Sequence, residues 1–169
     1  MKRIMPLVIA MFILLALAGC GNPNSGATQD EREELLRSHI TPENNWNIVD
    51  EMVIEEYLIS AIDGTNNKSG LAVFEPAENN EYKFQIATTS TKDQIIYDAA
   101  LIGKNQYDLI WFNGAQTEYA EVIYTIDGQQ QDALQFDTTY MNIIVNPSPA
   151  KDYSIQIIYH CADESTYTY

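Results

Sequence analysis

The sequence predicts an all-β protein, an antiparallel β-sandwich or barrel-like meander with a short N-terminal helix. Two observations carry this. From residue 57 onward, short apolar or alternating runs are separated by turn clusters such as Asp63-Gly64-Thr65-Asn66-Asn67, Asn113-Gly114 and Asp127-Gly128, and none of these runs keeps a long helical spacing. The connections are also too short to hold crossover helices, so neighbouring strands should run antiparallel.

Taken in chain order, residues 30–39 are charged, with Leu35 and Leu36 as their only strong apolar side chains. Asp30, Glu31, Glu33 and Glu34 would sit near the positive end of a helix and Arg37 near the negative end, so a short, marginal helix contributing little apolar surface is expected. Residues 46–54 fit either class, because Val49, Met52 and Val53 have helical spacing while their β-branched members suit a strand. Residues 57–62 and 70–74 read as a hairpin with a longer loop. Tyr82, Phe84 and Ile86 alternate with Lys83 and Gln85 as in a half-buried strand. Further runs at 94–102, 107–112, 119–126, 133–136, 140–145 and 153–159 bring the total to about nine short strands. Ala120, Val122, Tyr124 and Ile126 should share one core face, and Tyr153, Ile155, Ile157 and Tyr159 another.

The start of the chain is of a different kind. Lys2 and Arg3 precede an apolar run from residue 4 to residue 17 and then Ala18 and Gly19, the layout of a secretory leader. Spanning a bilayer takes about 20 apolar residues, which makes removal of this stretch the expectation. The junction Leu17-Ala18-Gly19-Cys20 resembles the lipobox of bacterial lipoproteins. That resemblance implies cleavage between Gly19 and Cys20, a diacylglycerol on the Cys20 sulfur, and a protein lipid-anchored at the extracytoplasmic face of the cell membrane. Two acyl chains, at about 0.8 kcal/mol per methylene, make a stable anchor. The segment Ser69-Gly70-Leu71-Ala72-Val73-Phe74-Glu75-Pro76, with Tyr82-Lys83-Phe84-Gln85 behind it, is similar to a feature of small uncharacterised lipoproteins of Gram-positive bacteria. Residues 107–169 resemble in rhythm the immunoglobulin-like modules of extracytoplasmic proteins, without their paired cysteines.

The expected organisation is a signal peptide over 1–19, a flexible tether over 20–29, a short helix and connector over 30–45 and a β domain over 46–169. Of 169 residues, 9 are Lys or Arg and 24 are Asp or Glu. Lys2 and Arg3 leave with the leader and no acid does, so 150 residues remain with 7 basic and 24 acidic side chains, a net charge of −17. Phosphate backbones repel such a surface, which argues against nucleic acid as a partner.

Catalytic signals are sparse. Nucleophilic catalysis needs a hydroxyl or thiol with a base in reach, and the mature chain offers only His39, His160 and Cys161, with no nucleophile-elbow pattern. Cys161 is expected as an unpaired thiol at a sheet margin, where replacement by serine would cost little. Oxygen ligands for calcium could come from Asp63, Asn66 and Asn67, or from Asp50, Glu51, Glu55 and Glu56, but neither group has the spacing of a calcium loop. No catalytic residue, metal ligand or cofactor is assigned. Tyr107, Trp111, Phe112, Tyr119, Tyr124, Tyr140, Tyr153 and Tyr159 could stack on sugars or partner proteins, although strand aromatics more often pack inward. The leading expectation is a membrane-anchored, non-enzymatic binding or scaffolding β domain with a cell-wall or surface-protein partner. The runner-up is an envelope enzyme acting on wall polymer through acidic residues.

Overall fold

The computed structural model describes residues 25–91, 93–114, 116–150 and 152–169. The leader 1–19, the lipidation and cleavage residues Gly19 and Cys20, and residues 21–24 lie outside them. One helix, α1 (Gln29–His39), precedes strands β1 (Asn47–Ile54), β2 (Tyr57–Gly64), β3 (Lys68–Pro76), β4 (Tyr82–Ser90), β5 (Ile95–Ile102), β6 (Asn105–Phe112), β7 (Thr117–Ile126), β8 (Gln129–Gln130), β9 (Leu134–Asp137), β10 (Ile143–Pro147), β11 (Tyr153–Cys161) and β12 (Thr166–Thr168). The strands form three antiparallel sheets, ordered β1-β2-β3-β4, β10-β6-β5 and β12-β11-β7-β8, with β9 also paired to β7. The all-β antiparallel expectation therefore holds. The sandwich in the second half takes β5 from before residue 107 to complete its sheet, so residues 107–169 are not a self-contained module.

Strand alternation sorts the side chains into three cores. Ile59, Ala61, Leu71 and Val73 of the first sheet meet Ile96, Leu109 and Trp111 of the second. The opposite face of the second sheet, with Ile110, Phe112 and Ile144, packs on Ala120, Val122, Ile157 and Tyr159 of the third. Both anticipated core faces, on β7 and β11, belong to this layer. At the corner where the first two sheets meet, the Thr88 hydroxyl bonds the Asp98 carboxylate and the Gln85 amide donates to the Leu101 carbonyl at 3.0 Å, giving a half-barrel curl.

The third core corrects the view of the helix as marginal. Leu35 and Leu36 are buried with Trp46, Ile48, Leu58, Ile62, Ala72 and Phe74 on the outer face of the first sheet. Burying each leucine stabilises the fold by about 1.5–3 kcal/mol. Thr28 and Glu31 form a reciprocal capping box at the start of α1. Arg32 is 6% exposed, and its guanidinium takes both Glu51 oxygens, at 3.2 and 2.7 Å, while also donating to the Ala27 carbonyl at 2.7 Å. Glu33 accepts from the Ile48 N–H at 2.9 Å. Burial works to raise the Glu33 carboxyl, but that N–H, the Gln29 amide and Arg37 together hold it below its ordinary range.

The stretch expected as tether is fixed from Ser25 onward. The Ser25 hydroxyl bonds the Glu81 carboxylate, and Gly26 exchanges two backbone hydrogen bonds with Tyr82. Composition alone could not show this, because the contacts are made by backbone and by a partner more than fifty residues away.

Residues 47–54, open between helix and strand, form β1, with a bulge between Ile48 and Asp50. Its pairing with β2 decides the matter, since local spacing did not. Gly64 ends β2 where a Cβ would lie 2.9 Å from the Trp46 ring, so only glycine fits there without displacement. Cys161 requires a second correction. It is 4% exposed in the core with Tyr159 and Ile157, because β11 runs two residues further than its apolar pattern indicated.

Candidate functional site

Two polar constellations stand out against the apolar layers. The first grows from β6, where Tyr107, Leu109 and Trp111 face one core and Asp108, Ile110 and Phe112 face the other. Asp108 is fully buried. Its Oδ1 accepts from Tyr153 at 2.5 Å, Ser148 at 2.9 Å and Tyr97 at 3.1 Å, and its Oδ2 accepts from Tyr124 at 2.6 Å. The Asn146 amide donates to the Tyr124 hydroxyl at 3.0 Å. Four hydroxyl donors replace the water a carboxylate would lose on burial. Burial first raises the Tyr97, Tyr124 and Tyr153 phenols, with the bonds to Asp108 adding to it in each; the contact with Tyr153 adds to the rise at Tyr97, while the Ser148 and Tyr97 bonds oppose it at Tyr153. The donors converge on the carboxylate from β5, β7, β11 and the chain after β10, so the cluster ties the second sheet to the third.

The second constellation is open to solvent. A cleft of about 670 Å³ lies where the β2–β3 turn, the β4–β5 connection and the end of β6 come together, lined by Asp63, Asn66, Asn67, Lys68, Ser69, Thr91, Asp93, Gln94 and Asn113. Asn66 and Asn67 hold the left-handed backbone, with φ of 63° and 54°, that a tight hairpin turn requires and that asparagine tolerates. Asn113 fastens the walls together: its backbone N–H donates to the Gln94 carbonyl at 2.7 Å and its side-chain amide to Asp63 Oδ1 at 3.0 Å. Burial raises the Asp63 carboxyl, with the Asn113 bond opposing that effect. Asp93 bonds the Ser90 hydroxyl at 2.7 Å. Amides and carboxylates offer hydrogen bonds of both senses here, and no aromatic ring is among the described lining residues.

The structure brings Asp63, Asn66 and Asn67 into this one cleft, as their proximity in sequence suggested, and separates the other acidic group. Glu51 is taken by Arg32 and by the Ser60 hydroxyl, while Glu55 accepts from the Tyr107 hydroxyl at 2.7 Å. No group of three or more His, Cys, Asp or Glu side chains among the described residues converges as a metal site. His39 stacks on Phe84, and His160 stacks on Tyr119 and lies 3.3 Å from Glu121. Of the candidate stacking aromatics, Tyr107, Trp111, Phe112, Tyr124 and Tyr159 are core residues, Tyr119 and Tyr153 are half-buried, and Tyr140 alone stands out in solvent at 95% exposure.

Asp108 and Asn113 were missed from sequence. Asp108 carries a readable signal, as the one charged side chain in the run Asn105-Gln106-Tyr107-Asp108-Leu109-Ile110-Trp111-Phe112. Asn113 reads as an ordinary turn residue, and its role comes only from pairing across fifty residues. No family model, curated protein or solved structure matches this chain.

Proposed function

We propose that this protein is a lipoprotein, held at the extracytoplasmic face of the cell membrane by a diacylglyceryl group on Cys20, whose β domain binds a ligand or surface partner without transforming it. The observation that carries the reading is the sequence Leu17-Ala18-Gly19-Cys20 at the end of a basic-then-apolar leader. The docking of Ser25 and Gly26 beside Tyr82 supports a close anchor. Five residue steps separate Cys20 from Ser25, and an extended chain spans at most about 18 Å over that length. The end of the first sheet that holds Tyr82 therefore rides near the membrane.

A second reading, an envelope hydrolase using two carboxylates, has one observation in its favour: Asp63, its carboxyl raised by burial, shares a cleft with Asp93. Binding is preferred because Asp63 is already engaged by Asn113 and Asp93 by Ser90, which leaves neither side chain poised by its neighbours as a general acid.

The test is metabolic labelling of the full chain and its Cys20→Ser variant with a clickable fatty acid, followed by membrane fractionation and external protease treatment of intact cells. The wild-type chain should be labelled, membrane-bound and cut from outside. The variant should be unlabelled and accumulate as precursor or be shed. Equal membrane retention of both with the leader removed would overturn the anchor.

A further inference from the structure

We propose that the cleft bounded by Asp63, Asn67, Thr91, Asp93 and Asn113 is a binding site for a neutral, hydroxyl-rich ligand, a saccharide chain gripped by its hydroxyl edges, set at the far end of β4 from the anchored end of the domain. The inference rests on the reading of the protein as an anchored extracytoplasmic binding domain and gives that domain its ligand class.

The lining sets the chemistry. A carboxylate only accepts hydrogen bonds, while an amide both donates and accepts, so the mixture suits hydroxyls, which also do both. An apolar ligand would strand these groups without partners. The lining carries charge of both signs, so an anionic ligand would meet Asp63 and Asp93 and a cationic one would meet Lys68. At about 670 Å³ the space is of the size that encloses small organic ligands. Because no ring lines it among the described residues, recognition runs through hydroxyl edges instead of stacking. The walls are preorganised: Asn113 joins Gln94 to Asp63, and the β2–β3 turn is seated by the Thr65 N–H on the Asn44 carbonyl at 2.6 Å.

The register sets the direction. Strand β4 begins at Tyr82, the residue paired with Gly26 near the anchor, and ends at Ser90, paired with Ser69 in the cleft wall. At about 3.3 Å per residue, β4 carries the cleft about 26 Å from the anchored end. The sheet thus acts as a spacer that separates the site from the anchored end.

Detergent-solubilised full-length protein would be applied to an array of neutral oligosaccharides, namely linear glucans, mannans, galactans and N-acetylglucosamine oligomers, with polygalacturonate and spermine as charged comparators. The strongest binder would then be titrated by calorimetry. Asn67→Gly is the sharpest variant, since glycine adopts the same positive φ and only the amide is lost. Thr91→Ala removes one hydroxyl from the opposite wall. Tyr140→Ala, in solvent outside the cleft, is the control. We expect saturable binding of a neutral oligosaccharide, weakened about fivefold or more by each cleft variant and unchanged by the control. Binding to no neutral glycan, stronger binding of polygalacturonate or spermine, or indifference to both cleft variants would overturn the ligand class. Release of new reducing ends would instead overturn the non-enzymatic reading; a protein that binds as expected but carries no lipid when extracted from cells would overturn the anchor and the placement relative to it, leaving the ligand class standing.

Discussion

The Tyr124 hydroxyl donates to Oδ2 of Asp108 at 2.6 Å, across the boundary between the second and third sheets. A buried carboxylate is tolerated when donors compensate its lost hydration, and the cost is realised when they are removed. Asp108→Ala leaves the hydroxyls of Tyr97, Tyr124, Ser148 and Tyr153 without their common acceptor and should destabilise the fold by about 3–5 kcal/mol. Tyr124→Phe removes one charge-assisted bond and should cost about 1.5–3 kcal/mol. Urea unfolding of the two single variants and the double variant would reveal non-additivity, since both changes act on one bond.

The same cluster predicts alkaline sensitivity. Burial first, and the Asp108 carboxylate after it, raise the Tyr97, Tyr124 and Tyr153 phenols, and burial raises Tyr159. In the unfolded chain a tyrosine titrates near pH 10. Above that pH the native state holds more protons than the unfolded state. The stability from these groups is fully present below about pH 10 and is lost as pH rises further. Ultraviolet titration should show these phenols ionising only together with unfolding.

Helix α1 should be required for the native fold. Leu36→Ala should cost about 2–5 kcal/mol by opening the core against Trp46 and Phe74. Arg32→Ala should cost about 3 kcal/mol or more by leaving Glu51 without its guanidinium. Removal of residues up to 39 would expose the outer face of the first sheet, and the truncated chain should bind a hydrophobic dye. Thermal melts of the two point variants and dye fluorescence of the truncation check these statements.

Cys161 should be inaccessible until the protein unfolds. It is buried with Tyr159 and Ile157 and has no disulfide partner among the described residues. Cys161→Ser places a hydroxyl in that apolar setting and should destabilise by about 1–3 kcal/mol. A thiol reagent should label the wild type slowly under native conditions and fully in denaturant. Rapid native labelling would contradict the burial.

What the sequence showed and what it hid divide along physical lines. Strands β2 to β7 were legible because their apolar residues alternate or cluster between turn residues, a local signal. The short strands β8 (Gln129–Gln130) and β12 (Thr166–Thr168) carry almost no apolar pattern and exist through pairing with β7 and β11. The docking of α1 was illegible because its strongest tether, Arg32 to Glu51, joins two charged residues that each look solvent-facing in isolation. Asp63, Asn66 and Asn67 were visible as one polar loop, whereas Thr91, Asp93 and Asn113 join them only once three connections meet in space.

Intact-mass analysis of the protein extracted from membranes decides whether a lipid on Cys20 holds this domain at the cell surface. The expected result is a single chain beginning at Cys20 and carrying a diacylglyceryl addition, with the lipid localised to the N-terminal peptide. A membrane-bound chain that retains Met1 or the leader, or one beginning at Cys20 with an unmodified thiol, would contradict it.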